Sequence, residues 1–228
     1  MEGTLLARDS REKAVSLNDI ERLGPMEIER RSFAIISQEA GDRIPDDNRA
    51  MIIRRVIHTS ADFDYLDTLC FSDGAVDAAL EALRKGAWII TDTNMALSGI
   101  NKPSLKKAGC EAFCFMADED VAREAKRRGV TRASVCVDKA AALNRPLIYA
   151  VGNAPTALIR LYELILDGKI RPELIIGVPV GFVNVVQSKE LIMQTDIPYI
   201  VARGRKGGSN VAACICNALL YELDGSRK

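Results

Sequence analysis

DAALEALRKGAWIITD, residues 77–92, holds the smallest complete unit of the fold. Its first nine residues carry apolar side chains at helical spacing, and Gly86 stands just past the end, where a left-handed residue closes a helix. The next six, AWIITD, form a short apolar run with the length of a strand buried on both faces. Downstream the same exchange recurs in CEAFCFM (110–116), PLIYAV (146–151), LIIGV (174–178) and PYIVA (198–202), each set apart by helix-like sequence. Strands alternating with helices require parallel strands joined by right-handed crossovers. The expected fold is therefore α/β: a single domain with a mainly parallel open sheet flanked by helices on both faces. A length of 228 residues fits one such domain.

Upstream, PMEIERRSFAIISQEAG (25–41) places Pro25 at a helix start, turns Ile28, Phe33 and Ile36 to an apolar face, and ends near Gly41. A second helix is expected to start at Asp46 or Asp47, capped by that acidic pair, and to carry Met51, Ile52, Val56 and Ile57 toward His58. His58, the single histidine, then lies near a helix C-terminus. Residues 1–24 are polar and aperiodic and read as a loose N-terminal extension; the α/β domain is expected over 25–228.

Hydrophobic residues make up 48% and charged residues 27% of the chain, the balance of a globular protein. No apolar run approaches the ~18 residues of a spanning helix. The first 24 residues are too charged for a signal peptide, so the cytoplasm is the expected location and no membrane partner is expected. Basic and acidic residues number 31 each, so bulk charge gives no sign of a nucleic-acid partner. The six cysteines sit mostly in apolar stretches and read as buried small hydrophobes. Neither Cys110/Cys114 nor Cys214/Cys216 has a second pair or a nearby histidine to complete a zinc set, so no metal site is expected.

In open parallel sheets ligands bind outside the carboxyl ends of the strands. The loops expected there are 91–99, 116–120, 151–158, 178–184 and 202–210. In VGNAPTAL (151–158), Gly152 permits a tight turn, Asn153 can cap the following helix, and Pro155 fits its first turn; the free N–H groups would favour an anion, or the loop is an ordinary turn. RGRKGGSN (203–210) adds Arg203, Arg205 and Lys206 to a Gly207–Gly208 turn and a Ser209 helix cap, a set suited to clamping carboxylates, or else it is a solvated basic turn. In GVPVGFVN (177–184), backbone approach at Gly181 beside the Phe182 ring suits a flat apolar ligand edged with polar groups, or the segment packs the end of its strand. A lone histidine is more often structural than catalytic, but an imidazole ordinarily titrates near neutral pH, which suits His58 to proton transfer, with Thr59, Ser60, Asp62 and Asp64 as partners that could fix its tautomer. The Walker, G-x-G-x-x-G and G-x-S-x-G patterns are all missing, so nucleotide binding and serine hydrolysis gain no support.

With these residues in view the chain resembles the precorrin-8X methylmutases of corrinoid (vitamin B12) biosynthesis, including their cobalt-precorrin-8 form. The blocks that carry the resemblance are IERRSFAII (28–36), RVIHTSADFDY (55–65), TDTNM (91–95), GNAPTAL (152–158), GVPVGFVNVVQSKE (177–190) and RGRKGGSNVAAC (203–214), spread over residues 26–223. The resemblance implies an isomerase that moves a methyl group from C-11 to C-12 of the tetrapyrrole, giving hydrogenobyrinate or cobalt-containing cobyrinate, with no methyl donor or redox cofactor. It implies that His58 is the catalytic group, protonating or hydrogen-bonding the macrocycle during a formal 1,5-sigmatropic shift. It implies substrate contacts at Ser32, Arg132, Gly152, Asn153, Thr156, Gly181, Phe182, Arg203, Arg205, Gly207, Gly208 and Ser209, and a homodimer with active sites near the subunit interface. ADFDY (61–65) looks more like the cobalt-early, anaerobic branch. Residues 1–24 inherit nothing from the family. Two other readings compete: a non-catalytic corrinoid carrier using the same loops, and an S-adenosylmethionine-dependent methyltransferase that rests on fold analogy alone.

Overall fold

The computed structural model describes residues 16–226. Residues 1–15 of the expected extension lie outside that range; Leu17–Asp19 forms one 3-10 turn. The chain then runs through α1 (Pro25–Ala40), α2 (Arg49–Ser60), α3 (Tyr65–Thr68), β1 (Leu69–Phe71), α4 (Ala75–Arg84), β2 (Trp88–Thr91), α5 (Asn94–Gly99) and α6 (Lys102–Lys107). It continues through β3 (Ala112–Phe113), α7 (Glu119–Arg128), α8 (Arg132–Ala141), β4 (Leu147–Val151), α9 (Pro155–Leu166), β5 (Leu174–Gly177), α10 (Val185–Met193), β6 (Tyr199–Ala202) and α11 (Ser209–Asp224).

The six strands form one sheet in the order β1-β6-β5-β4-β2-β3. Four pairings are parallel, as the alternating sequence requires. The exception is β1, antiparallel to β6 with Cys70 opposite Val201. Sequence reasoning passes over β1 because three residues directly behind a four-residue helix leave no room for a period.

Side chains along each strand alternate between two cores, the signature of a sheet covered on both faces. Ile89, Ile148, Ala150, Leu174, Ile176, Ile200 and Ala202 pack with α2, α4 and α11. Ile90, Leu147, Tyr149, Val151, Ile175 and Val201 pack with α8, α9 and α10. A fully buried aliphatic side chain contributes roughly 1.5–3 kcal/mol, so the two-faced burial of strands such as β4 anchors the sheet from which the site loops project. No helix among the described residues is long and apolar enough to cross a membrane.

Two local expectations shift. The second helix starts at Arg49 with Asn48 in the cap position and no side-chain cap; the Asp47 carboxylate instead accepts the Arg49 N–H at 2.9 Å. On α1, Phe33 and Ile36 turn inward while Ile28 is 51% exposed, so the buried face is narrower than the apolar spacing implies. The carboxyl ends of β2, β4, β5 and β6 all open at one edge of the sheet, and the loops that follow them build the site.

Candidate active site

His58 is placed by the helix beneath it. Ile52, Ile53, Val56 and Ile57 are buried against the core, so α2 is held along α11 while His58, one position further, emerges exposed in the last turn. Beside it lies a pocket of about 170 Å³ lined by Glu29, Arg55, His58, Thr59, Cys214, Asn217 and Tyr221. The wall is rigid for reasons that can be named. Arg55 and Glu29 form a mostly buried ion pair at 2.8 Å, and the Arg55 guanidinium lies 4.7 Å from the Tyr221 ring and 5.2 Å from that of Phe33. Phe33 meets the imidazole edge-on, with centroids 5.4 Å apart and planes at 74°. Thr59 Oγ1 donates to Cys214 Sγ at 3.1 Å, and burial pushes the Cys214 thiol up from its ordinary value, so it is a neutral wall rather than a nucleophile.

The partners expected to fix the histidine tautomer are engaged elsewhere. Besides Thr59, Ser60 Oγ donates to Val56 O at 2.7 Å, and Asp62 and Asp64 both receive the Lys206 ammonium, at 2.6 and 2.5 Å. Among the described residues His58 makes no hydrogen bond; its recorded contact is the Phe33 ring. Both imidazole nitrogens therefore remain for a ligand.

In the 152–156 loop the N–H groups follow the second of the two readings, an ordinary turn. Its N–H groups do not wait for a ligand: the Asp92 carboxylate, 5% exposed, accepts from Gly152 at 2.8 Å, Asn153 at 2.8 Å and Ala154 at 2.6 Å. Burial raises the Asp92 pKa, and the three N–H bonds oppose that rise. Asn153 is not the cap; Ala154 takes that position without a side-chain bond, and Pro155 opens α9 as expected. A Cβ on Gly152 would lie 2.7 Å from Ser209 Cα and 2.8 Å from Gly208 O, so this glycine serves the seam between two loops. Thr156 Oγ1 lies 2.8 Å from Thr131 Oγ1, beside the start of α8 and Arg132, whose guanidinium has only a 3.5 Å approach to Met116 O.

The 203–208 loop is the cationic one. Arg203 pairs with Glu190 at 3.1 Å and Lys206 with the two aspartates, whereas Arg205 has no ion pair among the described residues; its guanidinium stands 5.4 Å from the Phe182 ring. Gly181 N–H donates to Arg205 O at 3.2 Å, which ties the 178–184 loop to this one. Phe182 is 82% exposed, and Val183 beside it is also exposed. Gly207 has φ 154°, and a Cβ there would stand 2.1 Å from Val178 O. Gly208, not Ser209, occupies the cap position of α11, while Ser209 Oγ lies 2.8 Å from Thr93 Oγ1. Ser32 lies on α1 beside Phe33, its hydroxyl donating to Ile28 O at 2.9 Å, outside the residues lining the His58 pocket.

Sequence reasoning overlooks two buried charges here. Asp92 fills one loop, and Lys189, 0% exposed, donates to Gly204 O at 2.8 Å and Lys206 O at 2.9 Å in another. Both carried a signal: a carboxylate directly behind a buried strand, and a lysine one helical turn from Val185 on the buried face of α10.

The open α/β sheet carries an exposed histidine near a cationic, glycine-turned loop that follows a strand's carboxyl end, the arrangement of an enzyme site on this fold. Residues 27–222 match the family model described as precorrin-8X methylmutase, and the chain belongs to that family. It is 47% identical to the cobalt-precorrin-8 methylmutase of Salmonella typhimurium over 87% of this chain and 96% of that one. It is 45% identical to the cobalt-precorrin-8 methylmutase of Leptospira interrogans, over 85% and 91%. The solved precorrin-8X methylmutase of Thermus thermophilus superposes with a TM-score of 0.81 at 38% identity, covering 88% of this chain and 99% of that one. The chain is thus a methylmutase, an isomerase of cobalamin biosynthesis.

Proposed function

We propose that this chain moves a methyl group from C-11 to C-12 of cobalt-precorrin-8, working in the cytoplasm as a homodimer with His58 as its catalytic group. The observation that carries the reading is the state of His58: an exposed imidazole, set edge-on by Phe33, with no hydrogen bond to a described residue. An intramolecular shift needs neither a methyl donor nor an electron acceptor. It needs the ring held still while one carbon–carbon bond breaks and another forms, with a proton or hydrogen bond at the macrocycle to lower the barrier. Such a contribution from a placed imidazole amounts to roughly 10²–10⁴-fold in rate.

The remaining site residues act as binders. The pocket of about 170 Å³ is below the roughly 300–1,000 Å³ that encloses drug-sized ligands, and a tetrapyrrole is larger still. The ring therefore lies across the carboxyl edge of the sheet, with Phe182 and Val183 as apolar wall. Arg205 and Arg132, free of ion pairs among the described residues, take its carboxylates by charge-assisted hydrogen bonds. A second copy of the chain closes the open side. The names of the Salmonella and Leptospira relatives favour the cobalt-containing ring.

Incubation of the purified protein with cobalt-precorrin-8, followed by visible spectroscopy, tests the reaction. A spectral shift to the isomerised ring is expected; bound ring that never isomerises would favour a carrier instead. Light scattering tests the assembly, with twice the chain mass expected and a monomer at working concentration the contrary result.

A further inference from the structure

The pull of Lys189 on the 203–208 loop fixes more than its position. Peptide bonds among the described residues are trans, and in a trans peptide the C=O of one residue and the N–H of the next point in opposite directions. Drawing Gly204 O and Lys206 O inward to the ammonium turns the N–H groups of Arg205 and Gly207 away from it. Among the described residues neither N–H has an acceptor, whereas the adjoining groups are used: Arg205 O by Gly181 N–H, and Gly208 N–H by Val178 O. Two outward N–H donors with a buried positive charge behind them, on a loop that also carries Arg205, make an anion receptor. The 152–154 loop, with Asp92 on its donors, is closed to that role.

We infer that Lys189 is a positioning residue that makes residues 205–207 a carboxylate subsite, where one acid side chain of the ring accepts the Arg205 and Gly207 N–H groups. The inference rests on the proposed corrinoid substrate and adds to it the residue that sets carboxylate preference. Burying an ammonium is costly, and a side chain such as Met would fill the same space without that cost. What the ammonium adds is the orientation of two peptides and a charge under the loop.

Lys189→Gln removes the charge and leaves a shorter, neutral N–H donor beneath the two carbonyls. Wild type and Lys189→Gln are titrated with the corrinoid product bearing free carboxylates and with the same ring after its acid side chains are converted to amides. The variant is expected to lose about tenfold in affinity for the carboxylate ring, the size of one charge-assisted hydrogen bond, and to bind the amide ring as wild type does. Equal loss for both rings marks a merely structural role and overturns the inference, as does no loss for either. If Lys189→Gln does not fold, the wild-type amide resonances of Arg205 and Gly207 decide: they should shift further with the carboxylate ring than with the amide ring, and equal shifts or silence with both overturns it. Turnover of cobalt-precorrin-8 by wild type, measured alongside, reports separately on the methylmutase reading.

Discussion

Lys206 Nζ stands 2.6 Å from a carboxylate oxygen of Asp62, across 144 positions of sequence. Asp64 completes the clip at 2.5 Å, so the segment just beyond His58 is tied directly to the cationic loop. Hydrogen bonding to the two aspartates raises the Lys206 pKa, and the same bond from Lys206 lowers that of Asp62. The clip therefore persists through neutral pH; it is lost in acid, as Asp62 protonates below its ordinary range, and in alkali above the ordinary lysine range, as Lys206 gives up its proton.

Opening that clip should disturb binding more than folding. Exposed ion pairs contribute little to stability, so Lys206→Met should melt within a few degrees of wild type. Its KM for the ring should rise about tenfold, one charge-assisted contact's worth, because the histidine turn and the ring loop lose register. Steady-state kinetics with an unchanged KM would contradict this.

Asp92 has the opposite balance. Its removal in Asp92→Ala leaves Gly152, Asn153 and Ala154 N–H groups without their buried acceptor. A loss of about 3 kcal/mol is expected for stranding them, which lowers the melting temperature of a chain this size by about 6–12 °C. Asp92→Asn, still able to accept, should lose less. Equal melting of all three proteins in calorimetry would refute the assignment.

Lys189 gives the chain a signature on the alkaline side. Burial pushes its pKa down to about 8, against about 10.4 for a free lysine. Between those values the unfolded chain holds a proton that the folded chain has released, so this group's contribution to stability rises with pH across the window. Wild type should gain melting temperature relative to Lys189→Met between pH 8 and pH 10. Parallel pH profiles for the two proteins would show that the ammonium is not desolvated as described.

Much of the fold was legible because both faces of the strands are covered: Leu147, Ile148, Tyr149, Ala150 and Val151 all count as apolar, yet divide alternately between two cores. β1 was not legible, being a three-residue strand with an antiparallel partner. For the site, sequence shows which donors a loop owns but not which of them are already spent. Gly152 and Asn153 look open until Asp92, 60 residues away from Gly152, is placed on their N–H groups. Likewise nothing in 58–64 tells that its aspartates face Lys206 rather than the imidazole. The His58 wall draws Glu29, Arg55 and Tyr221 from three helices, a meeting that only tertiary packing creates.

The claim that His58 acts on the chemistry, and not merely on binding, is tested most directly by single-turnover conversion of cobalt-precorrin-8 on His58→Asn with the ring fully bound. The variant should bind the ring within a few-fold of wild type and convert it about 100-fold or more slowly, the range of a lost general acid. Conversion at the wild-type rate once the ring is bound would contradict the account.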